Sequence, residues 1–213
     1  CDAPCQSSAS MLAAQTHFQY GVALVAQKQY EQAGAQFEAV TTQFPASPYA
    51  ARAHTSAASA YYAFGQQQLA LSQQQAAANQ DHDAAATCAA VVPLFAKLSQ
   101  SYVDTPEGAN AKSALAAPVT VKGLLSGYPT HPTPTMYLSR HISASTYFSD
   151  DYSASLDANG RFTFNRVAQG KYNLSAAFSD GHGVFWYGSS PSDVYDITVG
   201  PLCTVVLPSY HWS

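Results

Sequence analysis

Two hydrophobic rhythms meet near Ala116-Ala117-Pro118 in this sequence. Upstream, over residues 8–116, Ala, Gln and Leu dominate without Gly-rich or β-branched runs, a composition of high helix propensity. Pro45, Pro48 and Pro106 fall where helices would start or stop, whereas Pro93 lies inside an apolar run and predicts a kink or a helix start. Downstream, over 117–213, Tyr, Phe, Val and Thr alternate with polar residues between turns containing Gly, Pro, Asn or Asp. In 161–165 Phe162 and Phe164 share one face, and in 171–178 Tyr172, Leu174, Ala176 and Phe178 do the same. That period of two marks half-buried strands. Asn159-Gly160 offers the positive φ angles of a tight turn, so 156–174 is predicted to form the hairpin centre of a two-sheet domain. Further strands are expected at 119–126, 135–140, 153–156, 183–187, 195–199 and 203–207. The predicted fold class is α+β in two segregated domains. An N-terminal α-hairpin array over 8–116 follows a short tether, 1–7, and precedes an antiparallel β-sandwich over 117–213.

The helical half repeats itself. Residues 36–53 align without gaps to 94–111, matching Phe37 with Phe95, Val40 with Leu98, Phe44 with Tyr102, Pro48 with Pro106 and Ala53 with Ala111. In the first unit Gly21, Leu24, Tyr30, Ala33, Phe37 and Pro45 sit at the signature spacings of tetratricopeptide repeats. In the second, Ala58, Tyr61, Gly65 and Ala70 fit, with an insertion, 66–86, before Phe95. Residues 11–115 therefore resemble that family, and the phrase "FPASPYAARAHTSAASAYYAFG" resembles its periplasmic and lipoprotein members. The resemblance implies a partner groove lined by the first helix of each unit, at Gln15, Phe18, Val22, Arg52, Ser59 and Tyr62. Two repeats and a trailing helix leave an open end that some other surface should cover.

In the second half, Asp157, Asn159, Gly160, Phe162, Phe164, Gly170, Tyr172 and Leu174 carry a pattern similar to the carboxypeptidase regulatory-like domain, a transthyretin-type sandwich. The resemblance spans 118–208. It implies a non-catalytic accessory module, because the peptidase activity of the family's namesakes resides in another domain.

Composition narrows the function. Charged residues make up only 10% of the 213, and the net charge is −4, which argues against nucleic acid and against anionic lipid headgroups. No apolar run reaches the length of a transmembrane helix. Cys1, followed by Asp-Ala-Pro, resembles the acylated N-terminus of a mature bacterial lipoprotein, so lipid attachment at Cys1 and export to the envelope or the cell exterior are expected. Cys1, Cys5, Cys88 and Cys203 allow three full pairings; a disulfide between Cys88 and Cys203 is favoured, and export makes it chemically reasonable.

Candidate chemistry is sparse. Nucleophile-elbow, zinc-protease, phosphate-loop and dinucleotide motifs are all missing, so neither an enzyme nor a cofactor is expected. Asp81-His82-Asp83 reads as a polar turn within the insertion rather than a metal site. Asp150, Asp151, Asp157 and Asn159 lack the alternating ligands and closing Glu of a calcium loop. Asn173-Leu174-Ser175 is formally a glycosylation sequon inside a strand. Trp186, Tyr210 and Trp212 form a candidate aromatic edge able to stack on sugars or anchor a protein. The leading expectation is a non-enzymatic scaffold or structural subunit that binds a protein partner or further copies of itself. The alternative is a carbohydrate-binding accessory module that uses the aromatic edge.

Overall fold

The computed structural model describes residues 3–127, 133–140, 149–179, 184–186 and 195–211. The chain divides into two compact units, Cys1–Leu115 and Ala116–Ser213. The first is helical and the second is built of strands, an α+β architecture in two segregated parts.

Five helices make up the first unit: α1 (Ala3–Ala26), α2 (Tyr30–Gln43), α3 (Ala50–Ala77), α4 (Asp81–Ser101) and α5 (Pro106–Ala116). Helix α1 begins at Ala3, inside the stretch expected to be a tether. Pro4 is tolerated there because the first turn of a helix has no backbone bond for it to break. Each of the first three helices packs on its successor. One turn is used twice to make the hairpins. Lys28 and Asn79 both adopt φ of 60°. Around each, two backbone bonds close the preceding helix: Gln29 N to Leu24 O and Lys28 N to Val25 O in one, Gln80 N to Gln75 O and Asn79 N to Ala76 O in the other. This left-handed cap satisfies carbonyls that the helix end leaves free.

The two hairpins differ in length by a regular amount. A methyl added to Gly21 would meet the Phe37 ring at 2.7 Å, and one added to Gly65 would meet Phe95 at 2.3 Å, so the same helix crossing occurs in both. Gly21 lies seven residues before Lys28, whereas Gly65 lies fourteen before Asn79. Phe37 lies nine after Lys28, whereas Phe95 lies sixteen after Asn79. Each arm of the second hairpin is thus longer by one heptad. Seven residues are two helical turns, which extend the arm by about 10 Å and rotate its packing face by only about 20°. The expected polar insertion 66–86 is therefore mostly helix, with its turn confined to Ala78, Asn79 and Gln80. Asp81 and Asp83 occupy the first turn of α4, where negative charge favours the helix dipole. Pro93 lies within α4, which runs on past it to Ser101.

The second unit holds two facing sheets. Strands β1 (Val119–Ser126), β4 (Arg161–Val167) and β8 (Val205–His211) form one, in the order β4-β1-β8. Strands β2 (Thr135–Arg140), β3 (Ser149–Ser155), β5 (Gly170–Ser179) and β6 (Val184–Trp186) form the other, in the order β3-β2-β5-β6, with β7 (Tyr195–Val199) also paired to β5. All pairs are antiparallel except β1 with β8, which runs parallel. Val121, Phe162, Phe164 and Val167 from the first sheet meet Leu138, Tyr172, Leu174 and Ile197 from the second in one buried cluster. Alternation placed these residues inward, as expected. The connectivity differs from the expected hairpin. Strands β3, β4 and β5 are consecutive, yet β4 lies in the opposite sheet from its two neighbours. The turns at 156–160 and 168–169 carry the chain across the core. At the first, Asp157 Oδ1 accepts from Asn159 N at 2.8 Å and Arg161 N at 2.9 Å, while Gly160 takes φ of 77°. At the second, the Tyr172 hydroxyl donates to Ala168 O and the Tyr152 hydroxyl accepts from Ala168 N. Two tyrosines of one sheet thereby hold the end of a strand from the other.

Candidate functional site

A shallow groove of about 340 Å³ opens in the helical unit between α1, α2 and α3. Val22 and Val25 of α1 form one side, Tyr30 and Phe37 of α2 contribute apolar lining, and Thr55, Ser56, Ser59, Ala60 and Ala63 of α3 form the other side. Helix α1 keeps Ala14, Phe18, Gly21 and Leu24 on its packed side. That spacing leaves Val22 half exposed at 51% and Val25 at 38%. On α3, Ser56, Ser59, Ala60 and Ala63 fall at i, i+3, i+4 and i+7, so a single stripe faces the opening. These small side chains leave the space that a larger row would fill. The lining contains no carboxylate, amine or guanidinium.

The structure brings together Val22 and Ser59 of the six expected groove residues. Phe18 is buried instead, with its ring 5.4 Å from Phe37 and 5.6 Å from Tyr49. The Arg52 guanidinium lies over that ring at 5.0 Å, so Arg52 and Phe18 form a contact pair beside the groove. Tyr62 packs its ring 5.6 Å from Phe95, and Gln15 is half-buried outside the lining. Val25, Tyr30, Phe37, Thr55, Ser56, Ala60 and Ala63 line the groove without having been among the expected residues. The signal that could have found Val25 is its i+3 relation to Val22; the i±3 and i±4 neighbours of Ser59 would have given most of the α3 stripe.

Ionic and hydroxyl contacts pin the helices around this groove. The Ser59 hydroxyl donates to Glu107 Oε1 at 2.6 Å, tying α3 to the first turn of α5. Glu38 Oε2 on α2 accepts from the Tyr61 hydroxyl at 2.7 Å on α3 and from Lys97 Nζ at 2.6 Å on α4. Lys97 also lies 4.4 Å from the Tyr61 ring centroid. Burial pushes the Glu38 carboxyl up, but the Lys97 and Tyr61 hydrogen bonds and the Lys97 charge outweigh it, leaving the group below its ordinary value. Burial, with the Glu38 charge beside it, raises the Tyr61 hydroxyl strongly and Tyr102 to about 12, so both stay protonated. His54 Nε2 donates to Asp104 Oδ1 at 2.9 Å, and its ring stacks on Tyr102 with centroids 4.8 Å apart. His17 Nδ1 donates to Gln36 Oε1 at 2.7 Å. Ser59 is thus tied to Glu107 of α5, and His54 to Asp104 in the turn before it, so that two contacts brace α3 against the end of the helical unit.

Other expected sites fall as follows. Cys88 and Cys203, expected as a pair, are each disulfide-bonded. Trp186 and Tyr210 lie on β6 and β8, paired through the backbone with Ala177 and Leu125; their side chains, together with Trp212 and Cys1, lie outside the described residues. Asp157 spends one oxygen on two backbone N–H groups of its turn. Asn173 of the sequon is only 5% exposed, on a central strand, and is closed to modification in the folded chain. No helix among the described residues is long and apolar enough to cross a membrane.

No protein-family model matches the chain, and no curated protein matches it. Among solved structures, a proposed carbohydrate-binding protein from Pseudomonas aeruginosa aligns over 51% of this chain and 98% of its own, at 15% identity and a TM-score of 0.29. A 9R-lipoxygenase from Cyanothece aligns over 57% of this chain and 22% of its own, at 11% identity and a TM-score of 0.26. At such scores neither likeness bears on what this chain is.

Proposed function

We propose that this protein is a non-enzymatic scaffold of the bacterial envelope or cell exterior that docks a protein partner through the groove bounded by α1, α2 and α3. The observation that carries the reading is the groove itself, an uncharged trough with Val22 and Val25 exposed at its edge. An exposed apolar pair beside an open trough is the kind of anchor that a recognition surface offers. The tetratricopeptide-like reading supports it: recurring left-handed caps and glycine–aromatic crossings belong to a stacked-hairpin array, whose first helices present such a surface. The regulatory-like sandwich is the accessory module of the same scaffold. Disulfides at Cys88 and Cys203 support an oxidising compartment and hence export. Non-reducing peptide maps identify the partner of each cysteine, and the intact mass of the native N-terminal peptide tests acylation of Cys1.

A photo-crosslinking residue at Val22, compared with one at the exposed Gln19 on the same helix, tests the docking surface in the producing cells. The expected result is a discrete protein adduct from position 22 that is lost when Val25→Asp is added. No adduct at 22, or equal adducts at 22 and 19, overturns the reading. An adduct at the mass of two chains identifies self-assembly as the mode.

A further inference from the structure

We draw no further inference here: the strongest candidate, the glutamine-rich α3 arm of the long α3–α4 hairpin around the exposed Leu71, is an unpartnered surface and nothing in the structure shows what covers it.

Discussion

The helical and β units solve the same packing problem by different bookkeeping. In the helical unit, the main packing runs between elements adjacent in sequence, α1 on α2, α2 on α3 and α3 on α4, with single side-chain ties from α2 to α4 and from α3 to α5. In the β unit, neighbours in sequence repeatedly lie in different sheets, and the first strand pairs with the fourth and the eighth. The difference decides how each unit tolerates change. A local stack is sensitive to the phase of each helix and tolerant of its length; a cross-connected pair of sheets is sensitive to every inward side chain at once.

The largest expected effect follows from phase. Removing Gln67–Gln73 from α3 alone leaves its partner arm one heptad too long and takes the turn out of register, so the cooperative helical transition should be lost. Removing Asp81–Thr87 as well restores the first hairpin's spacing between glycine, turn and aromatic, and the transition should return. Thermal unfolding followed by far-UV circular dichroism distinguishes the two. A paired deletion no better than the single one would show that the extra heptads do more than lengthen the arms.

Next is the β core. Phe162 is fully buried, stands against Gly123 of β1, and packs edge-on to Phe164 with centroids 5.6 Å apart. Phe162→Ala should cost about 3–5 kcal/mol. Denaturant melts followed by tryptophan fluorescence, which reports on the β unit because both tryptophans, Trp186 and Trp212, belong to it, and by helical signal should show the loss in the former. A smaller effect follows from Gly65→Ala, which gains about 1 kcal/mol of helix propensity but drives a methyl into the Phe95 ring. Overpacking of this kind costs about 1–3 kcal/mol, so the variant should be less stable than the parent. A higher melting temperature would show that Phe95 has room to move.

The smallest effect is titratable. Glu38 is held below its ordinary value in the folded state, so its contribution is present above the unfolded carboxylate pKa and is lost as pH falls through the folded one. Replacing it by Gln should cost about 1 kcal/mol at neutral pH, since the contact is partly exposed. The difference from the parent should shrink on acidification, because a protonated Glu38 no longer attracts Lys97. A gap that stays constant with pH would assign the loss to shape rather than charge.

These contrasts also explain what the sequence made legible. The glycine–aromatic spacings and the gapless match of 36–53 with 94–111 were readable because helical packing is written locally. Half the β unit was readable too, since alternation assigns each side chain a face. It does not assign a partner strand, so 156–174 read as a hairpin centre although the runs 161–165 and 171–178 belong to opposite sheets. The groove was partly legible for a related reason. The resemblance to tetratricopeptide repeats pointed to Val22 and Ser59, but whether Phe18 lines a trough or fills a core depends on Tyr49 and Arg52, which only the fold brings to it.

The parallel pairing of β1 with β8 has a consequence in time. Val121 pairs with Val205, and Ser126 with His211, so one sheet is closed by strands from the two ends of the unit. That sheet cannot be completed until residues up to 211 are available, whereas each helical hairpin needs only its own arms. Non-local closure is slow and local closure is fast. A chain made or delivered from its N-terminus can therefore close its helical hairpins while its β strands wait for the last of them to arrive.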